Sequence, residues 1–171
     1  MPLEDAPTGH ELLWAPWRAK WVGSLAGTRS ADCPFCLEPD ESPSVANLLV
    51  HRGEAGFVML NLYPYNGGHL LVVPYRHVAR LRDLQPPERA ELLELVVRCQ
   101  EALQTTHHPH GFNVGLNEGR AGGAGIAAHL HWHVVPRWEG DASFMTSIGG
   151  LRVVPEDLPS CWERLRKAFQ A

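Results

Sequence analysis

Three histidines alternate with apolar residues in one short segment, His129-Leu130-His131-Trp132-His133-Val134-Val135-Pro136. Side chains two positions apart lie on one face of a strand, so we expect the histidines to form a row while the apolar residues between them are buried. Histidine is not a preferred strand residue, and three charged imidazoles in a row would repel one another. Such a row suits either zinc ligation or nucleophile and proton-transfer chemistry by neutral rings. A polar sheet edge without chemistry is the remaining interpretation.

A glycine-rich loop stands directly before this segment. Residues 117–126 contain four glycines, at Gly119, Gly122, Gly123 and Gly125. Glycine at this density disfavours a regular helix or strand and allows consecutive backbone N–H groups to point at one anion. A phosphate group bound by the loop would lie beside His131.

Two of the four cysteines lie three positions apart, in Cys33-Pro34-Phe35-Cys36, a spacing that is common in zinc sites. The other two, Cys99 and Cys161, lie far away in segments of helical pattern. In a reducing compartment the pair is better interpreted as half of a metal site than as part of a disulfide framework. The alternative interpretation is a pair of free buried thiols.

The elements that must position these residues follow from the hydrophobic pattern. Short apolar runs predict strands over 46–52, 56–61, 69–74, 111–116 and 129–136, with a turn at Asn66-Gly67-Gly68. A long amphipathic helix is predicted over 86–108, and a short one near the C terminus, through Leu158, Trp162, Leu165 and Phe169. Clustered strands and one long helix favour an α+β fold with an antiparallel sheet.

Length and charge narrow the classes of function. A chain of 171 residues suits one domain, which we divide into an arm at 12–45, a core at 46–150 and a tail at 151–171. The net charge of −4 gives no general attraction to nucleic acid or anionic membranes. No apolar run reaches the roughly 18 residues of a membrane span, and the first residues lack a secretory signal pattern. We therefore expect a cytoplasmic protein without nucleic acid or membrane partners.

The histidine segment resembles the signature of the histidine triad family, His-φ-His-φ-His-φ-φ with φ apolar, and residues 129–135 fit it at every position. Residues 61–69 similarly resemble the family's Asn-x-x-Pro-(x)₃-Gly-His segment. With the tryptophan-rich arm at 13–21, the chain most resembles the bacterial branch that contains diadenosine tetraphosphate phosphorylases. The resemblance covers roughly residues 12–150 and implies a five-stranded antiparallel sheet with one long helix and a short C-terminal helix.

The resemblance implies nucleotidyl transfer, in which His131 attacks the α-phosphorus of a diadenosine polyphosphate and forms a covalent nucleotidyl-histidine. Phosphate or water then resolves this intermediate. His133 is implied to hydrogen-bond the reacting phosphate or leaving oxygen, and His69 to orient the row. The nucleotide-binding residues expected are Asn61 at the ribose, Asn117 at phosphate oxygens, the loop residues Gly123 and Gly125, and His129. Phe57 and Met59 are expected to wall the adenine or to pack in the core.

Family members with the cysteine pair also imply a closed structural zinc site, whose ligands here are Cys33, Cys36, His77 and His129. No organic cofactor is expected, and the resemblance implies a homodimer through the helix and an edge strand. The arm at 13–21 is expected to pack on the domain, or to join the dimer contact or the mouth of the ligand site.

Three alternative functions stay open at this point. The first is a hydrolase of nucleoside phosphoramidates or other nucleoside monophosphate conjugates. The second is a zinc metalloenzyme that uses the histidine row, and the third is a nucleotide sensor without turnover. The chain also departs from many relatives by carrying Gly125, Ile126, Ala127 and Ala128 where they have Ser, Thr or Gln, so backbone amides must replace a side-chain donor to phosphate.

Overall fold

One antiparallel sheet of five strands organises the protein, which was analysed as a computed structural model describing residues 33–37, 41–141 and 156–170. The strands are Leu49–Arg52 (β1), Gly56–Leu60 (β2), Leu70–Pro74 (β3), Gly111–Leu116 (β4) and Trp132–Arg137 (β5), in the order β1-β2-β3-β5-β4. The helices are Pro86–His107 (α1) and Leu158–Ala168 (α2), with a short 3-10 turn at Leu81–Asp83. The predicted fold class is confirmed, whereas the arm at 13–21 lies outside the described residues.

Strand register determines which residues share a face of the sheet. Met59 pairs with Leu71, and Leu71 pairs with His133, so these three side chains follow one another across three strands on one face. The residues beside them, such as Val58 and Val72, point to the opposite face, where α1 packs. The face that carries His133 is therefore the one on which a ligand can approach the sheet.

Helix α1 covers the other face because its apolar residues recur on one side. It begins with two prolines and a capping box between Gln85 and Glu88, and it ends at His108, which has a left-handed backbone. Its buried residues are Leu92, Leu95, Val96, Cys99, Ala102 and Leu103. Helix α1 packs closely on the sheet at Gly56 of β2. A Cβ there would lie 2.4 Å from Leu92 on the helix and 2.5 Å from the Val73 carbonyl oxygen on β3. Only glycine fits there.

Helix α2 packs beside β1 through side-chain bonds to the strand's backbone. Trp162 Nε1 donates to the Leu49 carbonyl at 2.8 Å, and Arg166 donates to the Val50 carbonyl at 2.8 Å. At its start, the Asp157 carboxylate accepts from the Ser160 N–H at 2.9 Å as an N-cap. His107, the last residue of α1, is also enclosed here: its side chain is 5% exposed and contacts Glu156 and Cys161. It is therefore packed rather than solvated.

The histidine segment departs from the predicted strand over 129–136 at its beginning. Pairing with β3 and β4 starts only at Trp132, and the Leu130 N–H instead donates to the Val78 carbonyl at 2.7 Å. His129 and His131 thus precede β5 and are buried, at 0% and 5% exposure. The observed strand therefore begins three residues later than predicted, and the Cys33–Cys36 turn covers His129 and His131.

Strand β4 lies at one edge of the sheet, with Val114 44% exposed. A homodimer contact through this edge stays a prediction. No helix within the described ranges combines the length and apolar character that crossing a bilayer requires.

A carboxylate ties the turn before β3 to the end of β5. Asp141 accepts hydrogen bonds from Arg137 Nε at 2.5 Å and Nη2 at 2.8 Å, and from Asn66 Nδ2 at 3.0 Å. Asn66 also donates to the Pro136 carbonyl at 3.1 Å. The hydrogen bond from Arg137, followed by that from Asn66, holds the pKa of Asp141 well below its usual range.

We predict that Asp141→Asn lowers the free energy of unfolding by about 2 kcal/mol at pH 7, since it removes a charged acceptor from several donors. Because the folded-state pKa is depressed, this stabilisation is present in full above about pH 4 and is lost as the pH falls below it. Urea unfolding of metal-free wild type and variant between pH 7 and pH 3 measures the difference. A difference in unfolding free energy between wild type and variant that is independent of pH would contradict the depressed pKa of Asp141.

Candidate active site

A buried histidine at the start of β3 supports the site from below. His69 is fully buried and follows Gly68, whose backbone has a φ of +76°. A Cβ at Gly68 would also lie 2.8 Å from Leu103 Cδ2 on α1. The left-handed backbone conformation favours glycine at this position, directly before His69.

Hydrogen bonds determine where the protons of His69 and His133 lie. The backbone N–H of Tyr65 donates to His69 Nδ1 at 3.1 Å, so this nitrogen carries no proton. His69 must then hold its proton on Nε2, which lies 3.0 Å from His133 Nδ1 and donates to it. His133 in turn carries its proton on Nε2. The backbone amide of Tyr65 thus sets the tautomer of His69 and, through it, that of His133.

His131 has the opposite tautomer. Its Nδ1 lies 2.9 Å from the carbonyl oxygen of His129, which can only accept, so the proton lies on Nδ1 and Nε2 keeps its lone pair. Burial lowers the pKa of His131, although the hydrogen bond to the carbonyl acts in the other direction. The ring is therefore neutral at physiological pH, and it lies 5.0 Å from the His133 ring between centroids. A neutral imidazole with a free Nε2 lone pair is a competent nucleophile.

A cleft of about 470 Å³ opens beside these histidines, a volume in the usual range for small-molecule sites. His131, His133, Asn61 and Asn117 supply polar groups to its wall. The other lining residues are mostly apolar: Pro34, Phe35, Val45, Ala46, Asn47, Leu48, Met59, Leu60, Leu62, Tyr63, Tyr65, Leu71, Gly123, Gly125, Ile126, Leu158 and Pro159. The cleft thus combines a nucleophile with surface suited to a flat organic group.

A second cluster of reactive side chains lies next to the cleft. The ligand atoms of Cys33, Cys36, His77 and His129 all lie within 4.8 Å of one another. Cys33 Sγ is 3.3 Å from His129 Nδ1, and Cys36 Sγ is 3.3 Å from His77 Nδ1. Two sulfurs and two imidazole nitrogens at these separations match the donor set and spacing of a tetrahedral zinc site.

Hydrogen bonding prepares His129 to donate to a metal. Its Nε2 lies 2.9 Å from the Pro74 carbonyl oxygen and must carry the proton, which leaves the Nδ1 lone pair directed at the two sulfurs. Burial lowers the pKa of His129 to about 4, so the ring is neutral. Without a metal, burial and the neighbouring Cys33 thiol raise the pKa of Cys36 to about 11. A metal ion would therefore displace a proton from the thiol on binding.

The structure brings most of the sequence-predicted residues to one place. His131, His133, Asn61, Asn117, Gly123 and Gly125 all line the cleft, and His69 lies beneath His133. His129 does not line it, because its side chain points to the cysteines. Phe57 is fully buried against Tyr75 and contributes nothing to the cleft wall, whereas Met59 does.

The glycine loop is less open to an anion than its composition suggested. The N–H of Gly123 donates to the Arg120 carbonyl at 3.0 Å, and that of Ala124 donates to the Gly119 carbonyl at 3.2 Å. These two amides are committed to turns within the loop. Gly125 and Ile126 line the cleft, and within the described part of the chain their amides have no such partner, so they can face a phosphate group there.

Sequence analysis missed several residues of the cleft. Leu158 and Pro159 come from the first turn of α2, and Val45–Leu48 come from the loop before β1. Phe35 was passed over although it stands between the two cysteines. The available signal was an aromatic residue between the two cysteines of a candidate metal site, since such a turn must rest on something apolar.

A five-stranded antiparallel sheet whose histidines carry fixed protons beside a ligand cleft defines a protein of the histidine triad class. The HIT domain family model matches residues 43–140. The AP-4-A phosphorylase of Mycobacterium tuberculosis is 43% identical over 159 residues, which cover 85% of this chain and 77% of that protein. The chain therefore belongs to the HIT domain family.

Further relatives agree with this membership. An asymmetrical bis(5'-nucleosyl)-tetraphosphatase of Schizosaccharomyces pombe is 32% identical over 99 residues, covering 58% of this chain and 54% of that protein. A zinc-bound histidine triad family protein from Mycobacterium smegmatis superposes with a TM-score of 0.61 at 30% identity, over 75% of this chain and 86% of that one. A hypothetical histidine triad nucleotide-binding protein from Sulfolobus tokodaii superposes with a TM-score of 0.63 at 26% identity, over 81% of this chain and 92% of that one.

The proton positions derived above can be observed directly. We predict that long-range ¹H–¹⁵N spectra of the histidine side chains at neutral pH show Nδ1–H for His131 and Nε2–H for His69, His129 and His133. Single His→Gln variants assign the resonances. An Nε2–H tautomer at His131 would leave no lone pair facing the cleft and would contradict its assignment as the nucleophile.

Proposed function

We propose that this protein cleaves diadenosine polyphosphates by transferring a nucleotidyl group to His131. The observation that carries the proposal is the Nε2 lone pair of a neutral, buried His131 lining the cleft beside His133. The similarity to the AP-4-A phosphorylase of Mycobacterium tuberculosis supports this class of substrate. The apolar lining supports a ligand with flat aromatic groups.

In the first step, the Nε2 lone pair of His131 forms a bond to the α-phosphorus. The bond from this phosphorus to the bridging oxygen breaks, and the leaving nucleotide takes the electron pair on that oxygen. The Nε2–H of His133 hydrogen-bonds the leaving oxygen, while the amide of Gly125 and the side chain of Asn117 bind phosphate oxygens. Asn61 binds the ribose. The product is a nucleotidyl-His131 with a P–N bond.

In the second step, an oxygen of inorganic phosphate attacks the same phosphorus, and the P–N bond breaks. Its electron pair returns to Nε2, which restores neutral His131. We propose phosphate as the acceptor because of the similarity to a phosphorylase. With diadenosine tetraphosphate the first step releases ATP and the second releases ADP.

The protonation state of the histidines favours a phosphate leaving group over an amine. His133 holds a single proton, and losing it would make an imidazolate, since its Nδ1 already accepts from His69. A departing phosphate chain is stable as an anion near neutral pH, so a hydrogen bond suffices. The amine of a phosphoramidate needs a full proton. Residues 125–128 add no side-chain donor that could supply one.

We also propose that Cys33, Cys36, His77 and His129 bind one zinc ion. The donor set and spacing fit the ion, and the zinc-bound relative from Mycobacterium smegmatis supports the identity of the metal. Four protein ligands leave no open position, so a bound zinc would supply structural cross-linking. The cluster joins the cysteine turn to His77 and to the residue two positions before the nucleophile.

We predict that the purified protein converts diadenosine tetraphosphate to ATP and ADP when phosphate is present, and that His131→Ala lowers this turnover at least about 10³-fold. Chromatography of the products measures both. Zinc content and nucleotide affinity should persist in the variant, because His131 is not a ligand of the cluster. His110→Ala, an exposed histidine outside the cleft, serves as the matched control and should keep full activity.

The other outcomes separate the alternatives. Equal turnover without phosphate would replace the phosphorylase with a hydrolase. Cleavage of a nucleoside phosphoramidate but not of the dinucleotide would overturn the substrate class. Loss of metal in His131→Ala would favour a metalloenzyme built on the histidine row.

We predict one zinc per chain by elemental analysis, and its loss in Cys33→Ser or Cys36→Ser. Removing a thiolate leaves three ligands, so the affinity for zinc should fall by at least about 10-fold. Cys99→Ala is the matched control, since Cys99 is buried in α1 away from the cluster. Zinc retained at full stoichiometry in both serine variants would rule out this ligand set.

A further inference from the structure

One aromatic side chain contacts both the metal cluster and the nucleophile. Phe35 lies between Cys33 and Cys36 and is 4% exposed. Its ring centroid is 4.8 Å from that of the His131 ring. It is 5.7 Å from the centroid of the His129 ring, and these two rings are nearly perpendicular, at 84°. Phe35 also lines the cleft. The ring therefore forms a shared wall between the cysteine turn, the nucleophile and the space a nucleotide would occupy.

The position of this ring depends on the turn that carries it. Cys33 to Cys36 form a tight turn, closed by the Cys36 N–H donating to the Cys33 carbonyl at 3.3 Å. On both sides of Phe35, the thiols reach across to the imidazoles of His129 and His77. The same side-chain contacts that would become metal bonds thus hold Phe35 against His131.

His129 provides a second connection between the two sites. Its side chain faces the cysteine sulfurs, while its backbone carbonyl accepts from His131 Nδ1. A change in the cluster could therefore reach the nucleophile through Phe35 or through the backbone of His129. Only the first route is removed by shortening the phenylalanine side chain.

We infer that Phe35 is a positioning residue that couples zinc occupancy of the Cys33/Cys36/His77/His129 cluster to nucleotide binding in the cleft. With the cluster filled, the turn is cross-linked to the sheet, and the Phe35 ring is held as the wall beside His131. With the cluster empty, weaker thiol–imidazole contacts and van der Waals packing replace the metal bonds, so the wall is held less firmly and the cleft binds nucleotide less tightly. The coupling is reciprocal: bound nucleotide strengthens zinc binding by the same factor. This inference rests on the zinc and nucleotide sites proposed above.

The test is a thermodynamic cycle with AMP as the probe, which avoids turnover. AMP affinity is measured by calorimetry for wild type and Phe35→Ala, each with zinc bound and after removal of zinc by a chelator. We expect zinc removal to weaken AMP binding about 10-fold in wild type, within the usual range of coupling between sites. In Phe35→Ala the two forms should bind AMP equally, within about 2-fold. The variant should still bind one zinc per chain.

A reciprocal measurement provides the readout on the metal. Competition with a chromophoric chelator should show that saturating AMP raises the zinc affinity of wild type about 10-fold and leaves that of Phe35→Ala unchanged. Phe35→Leu keeps an apolar side chain and is expected to retain part of the coupling. Phe169→Ala is the matched control: Phe169 is also buried, at 7% exposure, but it packs on His51 at the end of α2. Its removal should leave the coupling intact.

Each contrary result has a distinct meaning. Coupling that persists in Phe35→Ala would show that zinc acts through His129 or through folding as a whole, and it would overturn the inference. The inference would also be overturned if zinc and AMP both bind wild type but neither changes the affinity of the other. If wild type binds no zinc, or zinc-loaded wild type binds no AMP, the corresponding proposed site fails and the inference fails with it.

Discussion

The hydrogen bond from His131 Nδ1 to the carbonyl of His129 is the interaction on which the site depends. It fixes the tautomer of His131, the proposed nucleophile, through a backbone carbonyl two residues earlier, whose position is set by other contacts. The Leu130 N–H between them donates to the Val78 carbonyl, and His129 Nε2 donates to the Pro74 carbonyl. His129 and Leu130 are thus held to the end of β3 and the chain that follows it, and His131 is held to His129. The departure from regular strand pairing before Trp132 makes these bonds possible.

The same constraint explains why the three histidines do not form a joint metal site. Three imidazoles can share a metal only when each directs a lone pair to one point. Here the lone pair of His129 faces the cysteines, that of His131 faces the cleft, and that of His133 accepts from His69. The row therefore divides into the proposed metal ligand His129, the proposed nucleophile His131 and the hydrogen-bond donor proposed at His133. Among the described residues, His129 is the one triad histidine that belongs to a cluster of potential metal ligands.

Periodicity and motif spacing were sufficient for the framework of the fold. The helix predicted over 86–108 is Pro86–His107, and the strands predicted at 56–61 and 111–116 are within one residue of those observed. The cysteine spacing predicted only half of a metal site, and the resemblance to the histidine triad family supplied His77 and His129; the structure places all four side chains together. The error at His129 and His131 has a physical cause. Alternation of polar and apolar residues reports which side is buried, but it does not report whether a neighbouring loop covers the polar side too.

The contacts that sequence analysis could not supply are those between segments distant along the chain. Leu158 and Pro159 follow the core by many residues, and no local pattern indicates that α2 extends to the cleft. Tyr65 acts on His69 through its backbone N–H, which any residue other than proline could provide. The Asn61 side-chain amide lies 3.3 Å from the same His69 nitrogen and supports the same tautomer, but the Tyr65 contact leaves no trace in side-chain identity. The same holds for the glycine loop, where composition did not show which amides are committed to internal turns.

The composition of the cleft wall has a consequence for how a dinucleotide could bind. The polar groups that can meet phosphate, from His131, His133, Asn117 and the Gly125 amide, adjoin a wall that is otherwise largely apolar. That wall is assembled from the cysteine turn, the loop before β1 and the first turn of α2. Among the described residues the lining contains no arginine or lysine, so the phosphate chain would meet mainly neutral donors from this part of the wall. Burial of flat apolar groups must then provide much of the affinity. A substrate with a nucleoside at each end meets that requirement better than a single phosphate ester does. Because the first turn of α2 contributes to the wall, the C-terminal helix is part of the cleft rather than an appendage to the domain.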